Sequence, residues 1–463
     1  MTDVAAWRGG EWRPLLALAV PLALSQLAQI AIGTTDVVMM GWLGPQALAA
    51  GSLGSSVFFL LFLVGLGVLL VVPPLAAEAV GAEKPDLLRS TIHQGLWVAT
   101  AIGVPFAGVV WFTEPILLLL GQDATVAAMA GDYQRVMLWG MVPSLWLVVL
   151  RGYVSALSRP RALTVVLLLG VGFNALSNYG LMFGNFGLPA LGLVGAGISS
   201  SLVQTLMCLG LLVYLRIDRG FRAHRLLAGL FRADWARFRL ILKLGTPVGI
   251  TLLCDTGVLS GAVMLIGLFG AGQLAGHAIA MQCAMVALMV PLGIAQATTV
   301  RVGLAVGRGD RVAVGDAGWS GTAIALIAAA AVAVLFWTVP DRLVGLFLDR
   351  AAPDAAPAFA MAVSFLYLAA MFHILQAVVV VLAGAVRGMR DTTTALWFVI
   401  GGYWGVGFGS AAFLALPLGL EGTGVWIGLI VGYAVMTLGL IRRFRARGPI
   451  LDQLVTSSAP AAP

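Results

Sequence analysis

Long apolar runs separated by short polar breaks constrain this chain more than any other feature. A helix needs about 20 apolar residues to cross the hydrocarbon of a bilayer. Runs of that order fall at 14–41, 48–77, 90–112, 127–150, 162–183, 191–215, 240–268, 274–300, 314–338, 358–386, 393–416 and 422–441. Only 10% of the 463 residues are charged, against about 25% in a soluble domain. That balance excludes a soluble enzyme, a secreted disulfide scaffold and a disordered chain. It predicts an all-α polytopic membrane protein with twelve transmembrane helices. The first run is too long for the apolar core of a cleaved leader and reads as a span.

The basic residues test this count. With the N-terminus in the cytoplasm, all 27 Lys and Arg except Arg135, Arg342 and Arg350 fall on the cytoplasmic side. A wrong number of spans would scramble that alternation. The expectation is therefore a multi-pass protein of the plasma (inner) membrane with both termini cytoplasmic. The net charge of +7 follows from the positive-inside rule and implies no nucleic acid. Binding of anionic lipid is the alternative reading of the Arg-rich stretch 216–243, but topology alone accounts for the stretch. Cys208, Cys254 and Cys283 all lie inside apolar runs, which suits packing better than a disulfide or a metal set.

The two halves share a pattern. At an offset of 226, Pro21 falls on Pro247, Gly41 on Gly267, Gly44 on Gly270, Leu48 on Leu274, Gly67 on Gly293 and Gly81 on Gly307. Leu191-Gly192-Leu193 matches Leu418-Gly419-Leu420 at 227. A repeat of six spans is even, so both copies point the same way across the membrane. This predicts a six-helix bundle over 1–215, a basic link over 216–239 and a second six-helix bundle over 240–463. A pseudo-twofold axis along the membrane normal would relate the bundles.

Two of the 20 carboxylates lie deep in apolar runs, Asp36 and Asp255. A charge at a helix centre costs about 2.5–3.5 kcal/mol on insertion scales, so its retention points to function. Asp36 stands toward the outer end of its run, where a helix-end carboxylate reaching water is the plainer reading. Gln26, Gln29, Gly33 and Asp36 are spaced 3, 4 and 3, which puts them on one helix face. The fifth run carries Asn174, Ser177 and Asn178, and the sixth carries Ser199, Ser200 and Ser201. If these three helices pack together, one carboxylate meets several neutral oxygens, a set suited to a hard cation such as Na⁺. A proton on Asp36 is the other option, and Asn and Ser joining helices is the structural alternative. Asp255 follows Pro247 by eight residues, with Thr251 one turn before it. His373 and Gln376 stand three apart in the tenth run and could line the same cavity, although a lone His in a helix is more often a packed residue.

Pro21, Pro73, Pro74, Pro105, Pro143, Pro247 and Pro291 interrupt spans, and each removes a helix hydrogen bond. No G-x-x-x-x-G-K-[ST] loop and no H-E-x-x-H motif occurs. The polar breaks are too short to hold a catalytic domain. The chain is expected to be no enzyme and to carry no cofactor. Work done by it would draw on an ion gradient or on the membrane potential, about 2.3 kcal/mol per charge per 100 mV.

Asp36-Val37-Val38-Met39-Met40-Gly41, followed by Leu43-Gly44 and Leu48-Ala49, resembles the first-helix signature of the multidrug and toxic compound extrusion (MATE) transporters. Leu150-Arg151-Gly152-Tyr153 with Arg159-Pro160-Arg161 resembles the segment between their fourth and fifth helices. Val386-Arg387-Gly388-Met389-Arg390-Asp391 resembles its second-half equivalent. The likeness runs from about 14 to 445 and is closest to the NorM-like branch. It implies antiport, in which Na⁺ or H⁺ enters as a cationic amphipathic drug or dye leaves. It implies cation coupling at Asp36, Asn174, Asn178 and Ser200, with Asp36, Asn174 and Asn178 holding the metal if the ion is Na⁺. Asp255 matches the seventh-helix acid of that branch, usually Glu. With Gln29, Gln376 and His373 it forms the expected substrate-binding set. The branch usually has an Asp in helix 10; Gln376 stands at that place and carries no charge, so a second cation site there is in doubt.

A lipid-linked precursor flippase of the same superfamily is the alternative. It would need a cationic cavity for a pyrophosphate, and no Arg or Lys lies deep in the spans. A membrane-embedded enzyme would need clustered His or acid residues near one interface. A channel usually repeats its pore motif, but Asp36 shifted by 226 gives Ala262 rather than Asp255. The expected partners are small cationic compounds and the bilayer, and the expected state is a monomer.

Overall fold

A computed structural model describes residues 10–159, 161–218, 221, 229–230, 232–348 and 356–452, with the backbone alone at 161 and 162. Arg8, Pro160, Arg219, Arg222, Arg225, Arg350 and much of the 216–239 link lie outside the described residues. Every regular element among the described residues is helical. Twelve helices are long and apolar enough to cross a membrane. They are α1 (Trp12–Trp42), α2 (Pro45–Gly81), α3 (Pro85–Trp111), α4 (Ala124–Ala156), α5 (Leu163–Phe183), α6 (Gly192–Ile217), α7 (Trp235–Gly267), α8 (Ala271–Gly307), α9 (Arg311–Thr338), α10 (Ala356–Gly388), α11 (Thr393–Ala415) and α12 (Glu421–Arg445). The protein is a multi-pass membrane protein.

Several helices outrun the apolar stretches that announce them. The cause is capping. Asp123 accepts from the amides of Thr125 and Val126 and starts α4 at Ala124 rather than 127. Asp310 accepts from Val312 and Ala313 at the start of α9. Asp234 accepts from the Arg237 amide at 3.0 Å, and α7 begins at Trp235 rather than 240. A side-chain oxygen that takes up free N–H groups lets a helix extend into water. Proline acts the other way. α2 breaks at Leu70–Val71, just before Pro73 and Pro74, because a proline has no N–H to give its preceding turn. α11 is interrupted differently, by a π-helical segment over Val399–Phe408.

The repeat is visible in the backbone. Gly44 and Gly270, which open α2 and α8, have φ of 112° and 101°. Gly192 and Gly419 have φ of 56° and 66°. Side chains are excluded near 100°, so glycine is required at Gly44 and Gly270, while at Gly192 and Gly419 it adopts the left-handed region at no steric cost.

The chain divides into two compact units. One comprises residues up to Ala23 together with Ile250–Pro463; the other is Leu24–Gly249. Both divisions fall inside helices, in α1 and in α7, and Leu24 and Ile250 stand 226 apart. Matched contacts explain this. A Cβ placed on Gly67 of α2 would lie 2.5 Å from the Gly249 Cα of α7. A Cβ on Gly293 of α8 would lie 2.5 Å from the Ala23 amide of α1. Each helix is drawn against backbone at a site only glycine leaves open. The turn just before α1 is further tied to α8 by Glu11 and Arg301, 2.6 Å apart and about four-fifths buried.

The end of the link lies along α3. Ser90 donates to the Asp234 carboxylate at 2.6 Å, Gln94 to the Arg232 carbonyl at 2.9 Å and Trp97 to the Leu230 carbonyl at 2.9 Å. Positions 90, 94 and 97 share a helix face, and the Arg232 amide donates back to the Gly229 carbonyl at 2.9 Å in the turn that precedes Asp234. The Ser90 hydroxyl and then the Arg237 amide hold Asp234 below its ordinary 3.8. A carboxyl depressed in the folded state adds stability above its unfolded pKa and loses it as pH falls through the folded value. Ser90→Ala is therefore expected to cost about 1 kcal/mol at neutral pH. The deficit should shrink below pH 3.8, as thermal unfolding in detergent at several pH values would read. A constant deficit down the series would show that Asp234 is not the acceptor that matters.

Candidate functional site

Asp36 is received by two helices. Its Oδ1 accepts from Asn174 Nδ2 at 2.9 Å and from Asn178 Nδ2 at 2.6 Å, both on α5. Its Oδ2 accepts from the Ser200 hydroxyl of α6 at 3.3 Å. The helical spacing of Asn174 and Asn178 puts both amides on the face turned to α1. Both asparagines are wholly buried. Each spends its N–H₂ group on the carboxylate, and each amide oxygen is left buried without a partner. The site thus holds one carboxylate, two unengaged carbonyl oxygens and a hydroxyl. Such an all-oxygen set suits a hard monovalent cation, and the carboxylate alone suits a proton.

The neighbouring polar groups divide into this site and helix glue. Ser201 donates to the carbonyls of Val136 at 2.7 Å and Met137 at 3.0 Å, joining α6 to α4. Ser177 pairs with Ser199 at 2.5 Å, joining α5 to α6. Of the three consecutive serines only Ser200 reaches Asp36. On α1, Gln26 accepts from Arg151 at 2.7 Å and Gln29 is exposed. Residues of α4 complete the surroundings in a way the sequence did not announce. Tyr133 is 1% exposed, bonds Ser55 at 3.2 Å and lies in one buried cluster with Met39 and Met40 of α1. Gln134 beside it is wholly buried with neither end of its amide partnered. The polar run Asp132-Tyr133-Gln134-Arg135 was the available signal; it also made this span the hardest to delimit.

The second acid sits in the other unit. Asp255 Oδ1 accepts from the Tyr433 hydroxyl of α12 at 3.3 Å. Tyr433 meets Tyr403 of α11 at 4.7 Å between ring centroids and Phe372 of α10 at 4.8 Å. Tyr403 lies in the π-helical segment, whose wider turn is a common feature of functional sites. His373 and Gln376 are buried, at 0% and 4% exposed, on the same helix as Phe372. The Gln376 Oε1 and both His373 ring nitrogens have no hydrogen-bond partner. Tyr403 and Tyr433 were not foreseen, because a tyrosine in an apolar run reads as packing. The three cysteines are unpaired, and no group of three metal-ligating side chains occurs among the described residues.

The MatE family model matches residues 21–180 and again 247–412. The chain belongs to the MatE family. The two MatE matches begin 226 residues apart (247 − 21), the spacing of the internal repeat. Among curated MATE relatives, a "Probable multidrug resistance protein NorM" of Mesorhizobium japonicum is 41% identical over 450 residues, covering 97% of this chain and 96% of that protein. One of Brucella suis with the same description is 37% identical over 440 residues, covering 94% and 93%. Among solved structures, a MOP superfamily transporter from Pyrococcus furiosus superposes with a TM-score of 0.86 at 20% identity, covering 98% of this chain and 99% of that one. As a MATE protein the chain is a transporter and not an enzyme.

Proposed function

We propose that the protein is a cation-coupled multidrug antiporter that exports cationic amphipathic compounds from the cytoplasm by alternating access. The observation that carries the reading is the Asp36 carboxylate, held by Asn174, Asn178 and Ser200 with two amide oxygens beside it unengaged. Asp36, Asn174, Asn178 and Ser200 bind the coupling ion, Na⁺ or H⁺, which is a substrate and not a resident cofactor. Binding there works only if the ion's affinity differs between the inward- and outward-open states. Asp255 attracts the organic cation, and the faces of Tyr403, Tyr433 and Phe372 favour the same charge. Gln29 is exposed and available to substrate, whereas His373 and Gln376 become available only if α10 moves. The protein works as a monomer in the plasma (inner) membrane with both termini in the cytoplasm. The relatives described as multidrug resistance proteins support this substrate class.

The test is ethidium efflux from proteoliposomes, with Na⁺ and H⁺ gradients imposed separately. Efflux that follows one gradient names the ion. Efflux that ignores both, with reconstitution verified, refutes the antiport reading.

A further inference from the structure

The Tyr433 hydroxyl reaches Asp255 at 3.3 Å, longer than the usual O–H···O bond. A small turn of α7 about its own axis would break that contact. What sets the rotation of α7 lies on α11. The Trp404 indole N–H donates to the Cys254 carbonyl at 2.9 Å. That carbonyl and the Asp255 amide belong to one planar peptide group, so the indole grips the unit that carries the acid. A helical carbonyl keeps a second lone pair for such a donor.

Two glycines let the rings of α11 come close. A Cβ on Gly257 would lie 3.0 Å from Trp404 Cζ2, and one on Gly261 would lie 2.9 Å from Phe408 Cε2. Positions 257 and 261 are one turn apart on α7. The rings of Trp404 and Phe408 lie 5.6 Å apart, so the pair rests against a face of α7 bare of side chains. Trp404 is 38% exposed and stands near the middle of α11. Tryptophans that anchor a protein to the bilayer gather at its interfaces instead. Tyr403, its neighbour in the π-helical segment, meets Tyr433 at 4.7 Å. Consecutive residues of one segment thus hold both sides of the contact: Trp404 the backbone that carries the acid, Tyr403 the ring whose hydroxyl donates to it.

We propose, building on Asp255 as the acid that receives the organic cation, that Trp404 is its positioning residue. The indole fixes the rotation of α7, and with it the direction in which the carboxylate points. Trp404 acts on substrate affinity through Asp255 and not by touching the drug.

The test is ethidium affinity, by fluorescence titration of the full chain in detergent, across a double-mutant cycle of Trp404→Phe and Asp255→Asn. Trp404→Phe keeps an aromatic ring and deletes the N–H. It should weaken ethidium binding about fivefold, the worth of one hydrogen bond. Added to Asp255→Asn it should cost nothing further, because the group it positions has lost its charge. Equal losses in both backgrounds, or none in the wild type, overturn the role. Gly257→Ala keeps the indole but crowds it; should Trp404→Phe fail to fold, this variant must show the same loss and the same dependence on Asp255. A drug-free readout is the carboxylate band that Asp255→Asn deletes from the infrared spectrum. It should shift in Trp404→Phe as the Tyr433 hydroxyl moves off, and an unmoved band overturns the positioning. Wild-type affinity in Asp255→Asn refutes Asp255 as the charge partner of the drug, and the band then decides the positioning alone.

Discussion

Asp36→Asn is expected to abolish gradient-driven efflux while leaving the protein folded. The substitution keeps the shape of the side chain and removes its charge. Asn174 and Asn178 each donate to Oδ1. An amide at position 36 has only one oxygen, so it cannot satisfy them and Ser200 as the carboxylate does. Hydrogen bonds to a charged group are worth about 1.5–3 kcal/mol each. Cation affinity should fall by about a hundredfold or more, because two unit charges about 4 Å apart attract by about 4 kcal/mol at an effective dielectric of about 20 and the amide carries no charge. Efflux in proteoliposomes under the productive gradient reads the loss, and a melting curve in detergent controls for folding. A variant retaining half of the wild-type, gradient-dependent rate would make Asp36 a packing residue and move coupling to Asp255.

Gly428→Val should produce the largest loss of stability. A Cβ on Gly428 would stand 2.3 Å from the backbone N and Cα of Ala411 and 2.6 Å from its Cβ. None of these atoms belongs to a flexible side-chain end, so α11 and α12 would have to separate. Overpacking a close contact typically costs 1–3 kcal/mol, and with backbone as the obstacle the upper end, about 3 kcal/mol, is expected here. The same two helices carry Tyr403 and Tyr433 beside Asp255, so drug affinity should fall as well. Gly409→Ala is the control, since a Cβ there meets nothing within 4 Å. Fluorescence-detected thermal unfolding of both variants decides the matter. Equal melting temperatures would refute the close-packing account.

The sequence announced the helices well because lipid leaves a chain few choices. Each span must satisfy its own backbone and present about 20 apolar residues. Asp36, Asn174 and Asn178 were legible for the same reason: polar groups at helical spacing have no business facing lipid. Ser200 could be separated from Ser199 and Ser201 only by the structure, since which of three consecutive residues faces α1 depends on the rotation of α6. Tyr133, Tyr403 and Tyr433 were hidden because a tyrosine is apolar along most of its length. The π-helical stretch in α11 was hidden too, as a wider turn leaves no mark on hydropathy.

The exchange of half-helices bears on how such a chain can be made. Residues 11–23 leave the ribosome early, yet their packing partners on α8 lie at 293 and 301. The unit Leu24–Gly249, conversely, lacks its share of α7 until residue 249 has been synthesised. Neither gene half encodes a complete unit. A cut in the link would give two fragments, each missing a stretch of helix that the other carries. Activity from such a pair would require both fragments to be inserted together, and neither alone should resist proteolysis.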